Sequence, residues 1–241
     1  MLLYIIRHGD PIYSTDSLTE KGKLQAEAVG KRMADAKIDQ IYSSPMGRAR
    51  MTADPACRLL GLECHIEEWA HEIGDEIKTP YPDGVVKSIS RLQNTVFREN
   101  GNINIPYERT CECPGISESR MDEAIRTIEK NGNDFLERLG YKYENGVYRI
   151  LRPNEDKVAL FCHAAFGRAW LSILLHIPLH IMWSSFSYMH TGVTVLEFRN
   201  NEDGFTAPHC LCYSDMSHLY AHGPDMNYAT LYCGGDKLLP L

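Results

Sequence analysis

The run Leu2-Leu3-Tyr4-Ile5-Ile6-Arg7-His8-Gly9 decides how the rest of the chain is read. Its first five residues are apolar without alternation, the pattern of a strand buried on both faces, as in parallel sheets. The run ends in a cation, an imidazole and a glycine. A second strand is expected at residues 157–162, apolar after Lys157 and ending at His163. Shorter strands are expected at 38–42 and 64–67. Helices are expected at 20–36 with Thr19 as N-cap, from Pro45 in the first turn to about Leu60, at 118–139 and at 164–175. A strand at 191–198, a turn at 200–204 and a returning strand at 211–213 complete the pattern. Strand alternating with helix predicts an α/β fold: three layers, doubly wound around a mostly parallel sheet. In such sheets ligands bind beyond the carboxyl ends of the strands, where His8 and His163 stand.

Residues 78–148 break this rhythm. They are polar, with turn signals at Pro80-Tyr81-Pro82-Asp83-Gly84 and Cys113-Pro114-Gly115. We read them as an inserted cap or substrate region within a single domain spanning 1–241. The formal net charge of −7 argues against nucleic acid or an anionic membrane as partner. Any arginines that bind an anion must then be gathered in one pocket. No run approaches the roughly 20 apolar residues of a membrane span, and residues 1–6 are too short for a secretory leader. The expected location is cytoplasmic. The eight cysteines are expected to be reduced and partly buried. Cys111-Glu112-Cys113 and Cys210-Leu211-Cys212 lack the spacing of paired zinc ligands and are read as buried thiols; neither a metal nor a cofactor is expected.

Phosphoryl transfer needs a nucleophile, positive charge around the phosphoryl oxygens and an acid for the leaving group. Arg7-His8 supplies the first two types of group at one strand end. Arginine suits phosphoryl oxygens because its planar fork donates paired hydrogen bonds and keeps its charge. Arg48, near a helix start, and His163, at another strand end, can reach the same place. His190-Thr191-Gly192 precedes a strand and can edge the pocket. Arg50 is read as a surface residue.

Four segments in order resemble one known family. These are Arg7-His8-Gly9, Leu18-Thr19-Glu20-Lys21-Gly22-Lys23-Leu24-Gln25-Ala26, Ser44-Pro45-Met46-Gly47-Arg48-Ala49-Arg50-Met51-Thr52-Ala53, and Phe161-Cys162-His163 with Arg168. They are similar to the motifs of the histidine phosphatase superfamily, in the phosphoglycerate mutase-like branch (branch 1). The resemblance implies a phosphoglycerate mutase-like fold with His8 as the phosphorylated nucleophile. It further implies that Arg7, Arg48 and His163 bind phosphoryl oxygens and that Glu72 donates the proton. Asp10, Glu68 and Asp75 are rivals of Glu72. The segment Asp10-Pro11-Ile12-Tyr13-Ser14 departs from the mutases, and the loop from His8 to Leu18 is short. A mutase must retain its phosphohistidine, whereas a phosphatase needs only water.

The expected function is therefore a histidine acid phosphatase-like hydrolase, a phosphomonoesterase acting on a small phosphorylated substrate. The alternatives are a mutase of the same fold and a non-catalytic pocket for phosphorylated ligands. A homodimer is compatible with the sequence. Specificity is placed in 78–148 and at Tyr13. Tyr81, Phe97, Tyr107, Arg91, Arg98 and Arg109 suit an aromatic or charged substrate, or equally a cap packed on its own core.

Overall fold

Leu3 and Ile5 of the first strand face one way and Ile6 the other, and each side chain is fully buried. This alternation sets the layers. The computed structural model describes residues 1–73, 77–80, 84–89 and 94–220. Asp75, Tyr81, Arg91 and Cys233, and most of the turn at 80–84, lie outside the described residues.

The central sheet has six strands: β1 (Leu2–Arg7), β2 (Gln40–Ser43), β3 (Cys64–Ile66), β4 (Lys157–Cys162), β5 (Val193–Glu197) and β6 (His209–Asp215). Their order in space is β6-β5-β1-β4-β2-β3. β1, β4, β2 and β3 run parallel, while β5 and β6 form an antiparallel edge beside β1. The helices are α1 (Glu20–Ala36), α2 (Gly47–Leu60), α3 (Met121–Arg138), α4 (Ala164–Leu175), α5 (Leu179–Ser185) and α6 (Ser217–Tyr220). Ile6, Ala159, Phe161 and Val193 pack with Val29 and Met33 of α1 and Ala53 and Ala56 of α2. On the opposite face Leu3, Ile5, Val158 and Leu160 pack with Phe135 of α3 and Phe166 and Trp170 of α4. Each such fully buried aliphatic side chain stabilises the fold by about 1.5–3 kcal/mol.

Local chemistry explains where the elements begin and end. Thr19 caps α1 as expected, its Oγ1 accepting the Gly22 amide at 2.9 Å. α2 starts later than the sequence suggested. Pro45 stands before it, and Met46 is the extended N-cap, with its amide donated to Ser44 Oγ at 3.2 Å. α3 starts at Met121 rather than 118 because Ile116, Ser117 and Ser119 make turn bonds to Cys113 and Ile116 instead.

A hairpin, Tyr141–Glu144 with Val147–Ile150, lies where no strand was expected. Its signal is Asn145-Gly146, both at positive φ (50° and 92°), as a two-residue turn of this twist requires. The turn at 200–204 leads to Phe205–Thr206, which pairs with this hairpin before the chain returns along β6. α5 was also missed, since seven residues after Pro178 are too few to show a period.

The segment 78–148 shares the core of the sheet. Phe97, Cys113, Ile116 and Met121 are buried in the same cluster as Leu3 and Trp170. Phe97 meets Trp183 edge-on at 6.4 Å, and Tyr107 stacks on His176 at 4.6 Å. Thr110 Oγ1 accepts the Leu179 amide at 2.8 Å. Arg98 donates to Ser184 and Ser185, and Arg109 pairs with Glu112. Phe97, Arg98 and Tyr107, considered for substrate contact, are thus engaged with distant parts of the chain, whereas exposed Arg109 pairs only within its own turn. No described helix is long and apolar enough to cross a membrane.

Candidate active site

Parallel register assembles the site. Arg7 lies opposite Cys162, and Phe161 opposite Ser43. His8, His163 and Ser44 therefore leave three adjacent strands abreast. β5 begins where β1 ends, with Val193 opposite Ile6, and this brings the 188–192 turn to the same place.

His8 is 1% exposed. Its ring centroid is 5.2 Å from that of His163 and 5.6 Å from that of His190. Its Nδ1 lies 2.7 Å from the Gly9 carbonyl oxygen. A carbonyl only accepts, so Nδ1 carries the hydrogen and Nε2 keeps its lone pair. Burial, then the charges of Arg7 and Arg48, push His8 well below the ordinary imidazole pKa. The loop after it is fixed closely: the Gly9 amide donates to Thr52 Oγ1 at 3.0 Å and the Asp10 amide to Gln25 Oε1 at 2.8 Å. A Cβ on Gly22 would stand 2.2 Å from the Asp10 carbonyl oxygen, so only glycine admits this approach.

Arg7 donates from Nη1 to the Tyr188 carbonyl at 2.5 Å. Desolvation lowers its pKa, and Tyr13 and Glu72 oppose that effect. Arg48 is buried at the start of α2, and its Nη1 donates to Asp16 Oδ1 at 2.5 Å. The other Asp16 oxygen accepts the Gly47 amide at 2.5 Å. The exposed Tyr13 ring lies 5.5 Å from the Arg48 guanidinium. His163 is fully buried as the N-cap residue of α4, with Nε2 2.7 Å from Ser44 Oγ. Burial, His8, Arg48 and Arg7 hold it well below the usual imidazole value. Four buried nitrogens here have no protein partner: Nε of Arg7, Nε of Arg48, Nδ1 of His163 and Nε2 of His190.

Glu72 is half-buried and caps α4 from outside. Its Oε1 accepts the Phe166 and Ile73 amides at 3.0 Å each, and its Oε2 the Ala165 amide at 3.4 Å. Those amides of α4 have no intrahelical acceptor. The carboxylate is thereby seated at the first turn of α4, the helix whose N-cap is His163. Asp10 lies beside His190, accepting from Thr19 Oγ1 at 2.7 Å with its second oxygen 3.6 Å from His190 Nδ1. Glu68 is exposed, as is Arg50. Arg168 ties α4 to α5, donating to the carbonyls of Ala164, Trp183 and Phe186. Sequence reasoning did not reach Asp16, Ser44, Thr52 or Tyr188. Ser44 and Thr52 lie inside the motif quoted for Arg48; the other two have no local signal. Among the described residues no three His, Cys, Asp or Glu side chains form a group able to hold a metal ion.

A model of the histidine phosphatase superfamily (branch 1) matches residues 3–136. The chain belongs to this superfamily. Phosphoserine phosphatase 1 of Hydrogenobacter thermophilus is 21% identical over 214 residues, 85% of this chain and 86% of the relative. A probable phosphoglycerate mutase GpmB of Erwinia tasmaniensis is 38% identical over 61 residues, which span 22% of this chain but only 28% of the mutase. The crystal structure of phosphoserine phosphatase from Entamoeba histolytica in complex with 3-phosphoglyceric acid superposes with a TM-score of 0.58 at 23% identity. It covers 90% of this chain and 98% of that one. The α/β fold of this chain is thus the histidine phosphatase fold, with the switch from parallel to antiparallel strands beside β1.

Proposed function

We propose that this member of the superfamily is a phosphomonoesterase that hydrolyses a small phosphorylated substrate through a phosphohistidine on His8. One observation carries the reading: the four unpartnered buried nitrogens gather around a histidine whose Nε2 keeps its lone pair. A buried polar group without a partner is costly, and a tetrahedral oxyanion is a ligand that would satisfy several at once. In the proposed reaction His8 Nε2 attacks phosphorus. Arg7, Arg48 and His163 hold the three equatorial oxygens, and the ester oxygen leaves with a proton from Glu72. Water then attacks the phosphohistidine, Glu72 takes a proton from it, and phosphate and free His8 result. Two of the relatives carry phosphatase names, which supports hydrolysis over mutase action. We place the contacts to the rest of the substrate in the 78–148 segment and at Tyr13.

The test is release of phosphate from an aryl phosphate without added metal. Wild type should show burst formation of an acid-labile phosphoenzyme, and His8→Ala should form none and release no phosphate. Equal rates for wild type and His8→Ala would sink the reading. Turnover of 3-phosphoglycerate only with a bisphosphate primer would assign the mutase instead.

A further inference from the structure

We propose that His190 is a further phosphate-contacting residue, a third histidine that takes up a proton when a tetrahedral dianion binds and holds it between that anion and Asp10. The proposal rests on His8 being the phosphoryl acceptor.

The turn that presents His190 is built into the end of β1. The Thr191 amide donates to the His8 carbonyl at 3.2 Å, and the Arg7 amide to the Gly192 carbonyl at 3.2 Å. Arg7 Nη1 reaches the Tyr188 carbonyl from the same side. Thr191 itself has φ 53°, a left-handed conformation that a β-branched residue rarely adopts. It is held there: its hydroxyl donates to the His190 carbonyl at 2.8 Å, and His218 Nε2 lies 3.0 Å from the same hydroxyl. A Cβ on Gly192 would meet Ser214 Oγ at 2.5 Å, so the turn is closed from β6 as well. Strained backbone held by its surroundings is concentrated at functional sites.

What this turn fixes is the His190 ring, 5.6 Å from the His8 ring. Its Nδ1 is 3.6 Å from Asp10 Oδ1, and its Nε2 is buried without a protein partner. The groups facing it are Arg7 and His8 at the end of β1, Asp10 in the loop that follows, and Lys21 of α1. His163 and Arg48 lie beyond His8, and His218 of α6 acts through Thr191. Burial, Arg7, His8 and Lys21 keep His190 neutral at pH 7 in the unliganded protein. Asp10 then orients it with Nδ1–H toward the carboxylate and the Nε2 lone pair inward. A bound dianion reverses the local field. A solvent proton adds to Nε2, and the new N–H donates to an anion oxygen.

The experiment measures sulfate binding by calorimetry near pH 7.5 in buffers of different ionisation enthalpy. Sulfate is a tetrahedral dianion that does not titrate in this range. Wild type should take up a proton on binding. His190→Gln should bind about tenfold or more weakly, the loss of one charge-assisted hydrogen bond, and take up none. If circular dichroism shows His190→Gln unfolded, Asp10→Asn serves in its place, with uptake reduced. Equal uptake in variant and wild type, or no uptake in wild type, overturns the proposal while aryl phosphate hydrolysis still stands. A wild type that neither hydrolyses an aryl phosphate nor binds sulfate overturns the reading of His8, and this proposal with it.

Discussion

His8, His163 and His190 are three imidazoles within one small volume, and Arg7 lowers the pKa of each. All three are held neutral, chiefly by burial. A neutral imidazole has the lone pair that the role proposed for His8 requires, whereas an imidazolium does not. The same burial links stability to acid. Each folded-state pKa lies below the unfolded value near 6.5, so the unfolded chain binds more protons once the pH falls below that value. Stability is therefore unaffected by these groups at pH 8 and is lost progressively as the pH falls from about 6.5 toward the depressed folded values. Urea unfolding at pH 7.5, 6.5 and 5.5 should show this decline. His163→Gln should flatten it by about 1.4 kcal/mol per pH unit in the window where that histidine is charged only when unfolded. An unchanged slope in the variant would contradict the assignment of His163 as buried and neutral.

At the level of elements, the site depends on two helix starts. α2 delivers Arg48, and its first amide is held by Asp16 from the 8–18 loop. α1 begins where the same loop ends, and Thr19 joins the two. Its hydroxyl accepts the Gly22 amide and donates to Asp10 Oδ2 at 2.7 Å. Removing an N-cap hydroxyl costs about 1 kcal/mol on average and up to about 2. Thr19→Ala should fall in that range by urea unfolding, and kcat/KM for an aryl phosphate should drop because Asp10 loses an anchor. A stability change within a few tenths of a kcal/mol would show that the cap does not hold this helix. The short loop that departs from the mutases is thus tied at both ends, by Gln25 and Thr19 on one side and by Gly47 and Arg48 on the other.

Across the whole molecule, the described part of the 78–148 segment packs into the same core as the sheet on the α3–α4 face. Phe97 is 2% exposed within the cluster that contains Leu3, Phe166 and Trp170. A cap with a core of its own would unfold separately; one that shares the core cannot. Phe97→Ala should therefore cost about 3–5 kcal/mol. Fluorescence of Trp69, Trp170 and Trp183 and far-ultraviolet dichroism should report a single coincident transition, at lower denaturant than in wild type. A separate early transition with the sheet unaffected would divide the chain into two units.

The elements that carry Arg7, His8, Arg48 and His163 were legible from the sequence because each rests on a local signal. Leu2 to Ile6 and residues 158–162 are apolar runs that cannot stay in water, and a histidine stands within two residues of the end of each. Thr19 and the apolar spacing behind it mark α1 in the same local way. The Asn145-Gly146 hairpin was equally local and was passed over beside a long polar stretch. Which side chains meet was decided only by the tertiary structure. Register places His163 abreast of His8, and the antiparallel return of β5 brings His190 to the same ring. Glu72 reaches α4 across 94 positions, and Asp16 reaches Arg48 across 32. Strand propensity and capping act over a few neighbouring residues. Sheet order and loop closure act between segments far apart in the chain, so the partners of a charged group emerge only when those segments pack.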